Sequence, residues 1–182
     1  MPSKSSRPGE VQELDYLSFV DYAVDVVGER LEYIDVGAMR LGLSLHRLTS
    51  SLIYDWESRV HRPRGWTWAG FRVLFTLWVV GPLGAKRIAE LSGMSRAAVS
   101  SLLNTLVRDG LVSRETAADD RRGVVVALTP AGRKAIRAAF VEHNKREQAW
   151  VESLTPAERQ TLQKLLNKLI RGTAAANVRR RS

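Results

Sequence analysis

Arg96, Ala97, Ser100, Ser101 and Asn104 fall at steps that place them on one face of a helix. All five are short or hydrogen-bonding side chains, so this face can approach another surface closely. Asn104, Ser100 and Ser101 can bond base edges or phosphates, and Ala97 can meet a thymine methyl group. Arg96 can grip guanine O6 and N7 with two bonds, or pair with a phosphate or solvent instead. Ser95 stands just before them as a helix N-cap, its hydroxyl able to accept from free backbone N–H groups. Further cations flank the run. Lys86 is a phosphate candidate at the start of the preceding helix. Arg114 lies on a strand-like stretch and can reach phosphate or serve structure. Asp120, Arg121 and Arg122 sit at a charged tip, where an arginine can enter a narrow minor groove.

These groups need a frame. Val99, Leu102, Leu103, Leu106 and Val107 form the apolar face of the same helix. Asp109-Gly110 ends it, with Gly110 suited to a left-handed cap. Leu111–Arg114 and Val124–Leu128 read as strands around the tip. A short helix from about residue 84 precedes the turn at Gly93. The layout over 84–129 is a helix-turn-helix with a β-wing, a motif that sets its second helix in the DNA major groove.

The residues also resemble a family at this point. Asp120-Arg121-Arg122-Gly123-Val124-Val125-Val126-Ala127-Leu128-Thr129-Pro130-Ala131-Gly132 is similar to the wing and following helix start of the MarR (multiple antibiotic resistance regulator) family. The resemblance is strongest over about residues 66–140 and extends by layout over about 34–172. It implies that one wing arginine contacts DNA while Asp120 orients the tip, and the pattern leaves open which arginine enters. It also implies a dimer with interleaved N- and C-terminal helices.

Charge agrees with a polyanionic partner. The 182 residues carry a net charge of +9, unevenly placed. Residues 10–35 hold eight acids and one base, whereas residues 36–182 hold 25 bases and 11 acids. A body that basic favours a polyanionic partner, which the motif above makes double-stranded DNA; the bland alternative is a solvated basic surface. Hydrophobic residues make up 45% of the chain, an ordinary globular share. No apolar run approaches the roughly 18 residues of a membrane span. The start lacks a secretory h-region. With no cysteine, disulfides and thiolate chemistry are excluded. The expected location is cytoplasmic, with no membrane partner.

The remaining chain divides into supports. Residues 1–9 are a predicted disordered tail, 10–60 an acidic helix and a dimerisation helix, 61–130 the winged domain, 131–173 C-terminal dimerisation helices, and 174–182 a basic tail. Leu17, Val20, Val24 and Val27 predict an amphipathic helix over 11–32. Ile34, Ala38, Leu41, Leu45, Leu48 and Leu52 form a heptad seam over 34–58. Val60–Gly65 reads as a loop, since Pro63 disfavours a helical Arg62. Thr67 caps a helix to about Val80, with Phe71, Leu74, Phe75 and Trp78 inward. Thr129-Pro130 opens a helix to about Ser153. Thr155-Pro156-Ala157-Glu158 is a capping box, and Leu162, Leu165, Leu166, Leu169 and Ile170 line the last helix. Leu41, Leu45, Leu48, Leu162, Leu165 and Leu169 are the dimerisation candidates. The expected fold class is mainly α with a small β-wing: a winged helix-turn-helix flanked by N- and C-terminal dimerisation helices.

Catalysis is not expected. Gly93-Met94-Ser95-Arg96-Ala97 is a near miss for a nucleophile elbow, but an elbow needs a preceding strand. No phosphate loop is present, no cofactor is expected and no metal site is assigned. His46, His61 and His143 lie on separate segments; His143 reads as a core or interface histidine rather than a zinc ligand with Glu142. The resemblance implies an effector, because MarR-like regulators commonly bind small aromatic or phenolic acids between dimerisation helices and winged domain. Trp56, Trp66, Trp68 and Trp78 can supply apolar walls for such a cleft, with Trp78 better read as core, and Arg47 or Arg72 can meet a carboxylate. Equally, these tryptophans can be core residues. The urate-responsive branch has an acidic residue where this chain has Arg72, so urate is not carried over. The expected function is a homodimeric, ligand-released repressor on a pseudo-palindromic operator; an architectural DNA-binding protein without effector is the alternative.

Overall fold

The computed structural model describes residues 14–16, 18–116 and 124–175. Its elements are α1 (Ser18–Arg30), α2 (Val36–Trp56), a π-helical turn (Glu57–His61), a 3-10 turn (Arg62–Arg64), α3 (Trp68–Val80), α4 (Ala85–Ser92), α5 (Arg96–Arg108), β1 (Val112–Thr116), β2 (Val124–Leu128), α6 (Pro130–Val151) and α7 (Pro156–Ile170). The fold is mainly helical with one small antiparallel sheet, as expected. The chain forms two compact units, one up to Ile53 and one from Tyr54 onward.

In the first unit α1 ends at Arg30 and residues 14–16 ahead of it are not helical, while residues 11–13 and Leu17 of the expected helix lie outside the described residues. Asp15 sets its start: its Oδ1 accepts from the Ser18 amide at 2.7 Å, and its own amide donates to Ser18 Oγ at 2.9 Å. Val20 and Val24 are buried. Asp35 caps α2 by accepting from Ala38 N at 2.9 Å. Arg40 pairs with Asp21 and reaches Asp25 at 4.0 Å, so acids of α1 neutralise a base of α2. No residue of α2 is buried. Leu41 and Leu48 are exposed and Leu45 is half-buried.

The second unit holds the core. Phe71, Val73, Leu74 and Leu77 of α3 meet Ile88 and Ala89 of α4, Val99, Leu103 and Leu106 of α5, Val112, Val126 and Leu128 of the sheet, and Ile136 and Ala139 of α6. Val73 and Leu77 join the inward set expected for α3, while Phe75 and Trp78 are only partly buried. The strands pair from Val112 opposite Leu128 to Thr116 opposite Val124. Leu83 adds a bridge to β2, donating to Val126 O at 3.1 Å and accepting from Val126 N at 2.8 Å.

Of the expected loop Val60–Gly65, Val60–Arg64 is helical and Gly65 is the left-handed turn that follows. Arg62 lies at φ −58°, ψ −39° despite the following Pro63. Proline falls in the first turn of a new 3-10 segment, where its missing N–H leaves no bond unmade. Glu57 rewards this path: its Oε1 accepts from the Trp68 amide at 2.6 Å, satisfying an orphan donor at the α3 N-terminus. Thr67 satisfies another, accepting from Gly70 N at 3.1 Å.

Candidate nucleic-acid interface and adjoining aromatic cluster

The helix-turn-helix is built by local bonds. Ser95 Oγ accepts from Ala98 N at 3.2 Å, starting α5. Gly93, at φ 62°, makes the turn before it and Gly110, at φ 70°, the turn after α5. Val99, Leu103 and Leu106 are buried, and Leu102 is half-buried. Val107 is a correction: it was expected on the buried face and is 37% exposed. At ~100° per residue it stands about 80° round the helix from Val99, past the edge of the stripe.

With that face inward, Arg96, Ala97, Ser100, Ser101 and Asn104 are all exposed. Lys86 is exposed on α4. Arg87 of that helix pairs with Glu90 at 2.9 Å. The Glu90 carboxyl is held below its ordinary value chiefly by the Arg87 hydrogen bond, with the charges of Arg87, Lys86 and Arg96 adding to it. One carboxylate thus sits in the field of cations from both helices. Arg114 is drawn onto the same face: its Nη2 donates to Asn104 Oδ1 at 2.6 Å, linking β1 to α5. That bond occupies the amide oxygen and leaves the Asn104 N–H groups as donors. Asp120, Arg121 and Arg122 lie outside the described residues.

The wing strands are anchored behind this face. Thr129 Oγ1 donates to Gly110 O at 2.7 Å and accepts from Gly132 N at 3.0 Å. Gly132 is a packing requirement, since a Cβ there would lie 1.9 Å from Leu111 O.

A second constellation was not visible in the sequence. Trp56 meets Trp68 with ring centroids 5.2 Å apart and His143 at 4.7 Å. His61 stacks on Phe71 at 4.4 Å and on His143 at 5.3 Å. Both histidines are buried, and both nitrogens of His61, Nδ1 of His143 and Nε1 of Trp56 have no hydrogen-bond partner among the described residues. Burial drives the His61 pKa down to about 4, helped by the neighbouring His143 and opposed by Glu57. His143 is lowered by burial too, opposed by Glu147, which lies 3.3 Å from its Nε2. Glu142 pairs instead with Arg64 at 2.8 Å. Asp55 ties the cluster's edge: it accepts from Arg146 Nε at 2.9 Å and Trp150 Nε1 at 2.8 Å.

Of the four expected effector residues, Trp56, Trp68 and Arg72 belong to the second unit. Trp56 and Trp68 do meet. Arg72 turns toward the helix-turn-helix, its Nη2 lying 3.3 Å from where a Cβ of Gly93 would be. Arg47 belongs to the first unit, its guanidinium 4.0 Å from the Tyr16 ring centroid. An arginine stacked on an aromatic face gains a cation–π contact, which competes with an outside carboxylate.

A core drawn from four helices, a two-stranded wing and an exposed polar helix face define a winged helix-turn-helix protein of the DNA-binding class. The model of the MarR family matches residues 66–124. The chain is 32% identical over 139 residues to the uncharacterized HTH-type transcriptional regulator YwaE of Bacillus subtilis, covering 76% of this chain and 81% of that one. It is 28% identical to the HTH-type transcriptional repressor YetL of the same organism, covering 75% and 82%. Among solved structures it is similar to Bordetella bronchiseptica BpsR, whose DNA binding is regulated by 6-hydroxynicotinic acid: 25% identity, TM-score 0.64, covering 71% of this chain and 98% of that one. The chain belongs to the MarR family of transcriptional regulators, which are not enzymes. Ser95 accordingly serves as a helix cap and not as a nucleophile. Among the described residues no helix is long and apolar enough to cross a membrane.

Proposed function

We propose that this regulator is a homodimeric repressor that reads a pseudo-palindromic operator and is released by a small aromatic or phenolic ligand. The observation that carries the reading is the exposed α5 face of Arg96, Ala97, Ser100, Ser101 and Asn104, joined by Arg114. Ser95 sets its start, Lys86 supplies a flanking phosphate contact, and Asp120, Arg121 and Arg122 are proposed for the wing. Dimerisation is supported by apolar side chains left uncovered: Leu41 and Leu48 on α2, and Leu162, Leu165 and Leu169 on α7, are between 39% and 55% exposed. Repression and ligand release are supported by YetL and BpsR respectively. Trp56 and Trp68 are the proposed ring-binding wall.

Selection from a random duplex library with the full chain tests this. It should enrich an inverted repeat with half-site centres about 10 base pairs apart. Salt-sensitive binding with no enriched sequence would favour the architectural alternative.

A further inference from the structure

The two helices of the helix-turn-helix hold four bases and one acid. Lys86 and Arg87 lie on α4, Arg96 and Arg108 on α5, and the acid is Glu90 on α4. Glu90, Lys86, Arg87 and Arg96 are all exposed. Arg87 Nη1 donates to Glu90 Oε2 at 2.9 Å, while among the described residues Lys86 and Arg96 have no ion pair of their own. We infer that Glu90 is an anionic competitor built into the DNA-binding surface: it vies with DNA phosphates for the cations around it and so suppresses binding that ignores base sequence. The inference rests on the DNA-reading face proposed above and adds to it a residue that weakens binding in order to sharpen it.

Helix stability does not account for this acid. The bases of α4 stand in its first turn and the acid in its last, the reverse of the order that the helix dipole favours. Arg87 and Glu90 are three residues apart and Lys86 and Glu90 four, so the three share one side of the helix. A cation ahead of an acid is the weaker orientation for such a pair, and an ion pair between exposed groups adds little to folding. The Glu90 carboxyl is nevertheless held below its ordinary value, first by the Arg87 hydrogen bond and then by the charges of Arg87, Lys86 and Arg96. The carboxylate therefore acts on the cations of both helices.

A duplex offers the same phosphates whatever its sequence, so a cation that pairs with phosphate adds affinity without discrimination. Each phosphate that approaches this surface meets the Glu90 charge. Arg87 must leave Glu90 before it can pair with DNA. On a random duplex every cation has only phosphate to turn to, and the cost falls in full. On the operator Arg96 has a guanine edge instead, and the cost is smaller. Glu90 thereby acts as a positioning residue for Arg96, making phosphate the poorer partner.

The test is fluorescence anisotropy of the full chain on the enriched operator and on a scrambled duplex, across a range of salt, with Glu90→Gln and Glu90→Asp. Glu90→Gln should bind the scrambled duplex about fivefold tighter at physiological salt, and its log affinity should fall more steeply with log salt by about 0.9, the slope of one added phosphate contact. The operator should tighten by less than about twofold, and Glu90→Asp, which keeps the charge, should stay within about twofold on both duplexes. Unchanged affinity or salt slope on the scrambled duplex overturns the inference, as does an equal gain from Glu90→Asp. Equal tightening of an operator that the unaltered chain does distinguish also overturns it. So does a weakened operator complex at constant scrambled affinity, which would make Glu90 a base contact to a cytosine amino group. An unaltered chain that fails to distinguish the two duplexes contradicts the DNA-reading face, and the gain and slope of Glu90→Gln on the scrambled duplex still decide whether Glu90 competes with phosphate.

Discussion

Arg114 and Asn104 bond across 2.6 Å, which makes the pair a donor-only unit on the α5 face. Donors suit guanine N7 and O6 or a phosphate, and suit the adenine amino group badly. Arg114→Met should therefore lower operator affinity and move base preference opposite Asn104 toward adenine, measured by selection with the variant; unchanged preference would leave Arg114 a phosphate contact. His61 makes a different prediction. Its folded pKa of about 4 lies below the ordinary 6.5 of an exposed imidazole. The folded state thus binds fewer protons in that window, so stability is fully present above pH 6.5 and is lost as pH falls toward 4. The loss is on the order of 3 kcal/mol. Denaturant melts between pH 7 and pH 4 should show it, and His61→Phe should flatten the curve; an equal acid loss in that variant would remove His61 from the cause.

At the scale of elements, the joints that are local in sequence were legible and the distant ones were not. Ser95, Thr129 and Thr155 each accept from an amide three residues on, as their types and spacing predict. Glu57 capping α3 across 11 residues carries no such spacing rule. Nor does the stack of His61 on His143, which needs the π-helical turn to bring residue 61 against α6. The loop expected at Val60–Gly65 failed because a proline rule read locally could not see that Glu57 and Arg64 secure the turn. Arg47 and Arg72 show the same limit: their charge suits a carboxylate, whereas the Tyr16 ring beside Arg47 and the Gly93 turn beside Arg72 carry no signal in the spacing. Gly132 shows the opposite case, a motif residue whose reason is visible only in three dimensions. Gly132→Ala must displace the Leu111 backbone and should cost about 2 kcal/mol or more, seen as a lower melting temperature. A melting temperature within 1–2 °C, by the usual scaling of about 2–4 °C per kcal/mol, would mean the first turn of α6 has room to move.

At the scale of the whole molecule, charge and apolar surface are sorted. In sequence, the eight acids of residues 10–35 precede a stretch with 25 bases against 11 acids, and the uncovered leucines lie on α2 and α7. Leu45→Glu places a charge in the α2 seam and should give a monomer or an insoluble protein by sedimentation; a normal dimer would mean the seam lies elsewhere. The central claim is that the α5 face reads sequence and does more than supply positive charge. Its most direct test is the ratio of affinities for the enriched operator and a scrambled duplex, measured by fluorescence anisotropy at physiological salt. For the unaltered chain the ratio should reach about 1,000 or more. With Arg96, Ser100 and Asn104 all changed to alanine it should fall toward one while affinity for the scrambled duplex changes only a few-fold. A ratio that survives the triple change would contradict the account.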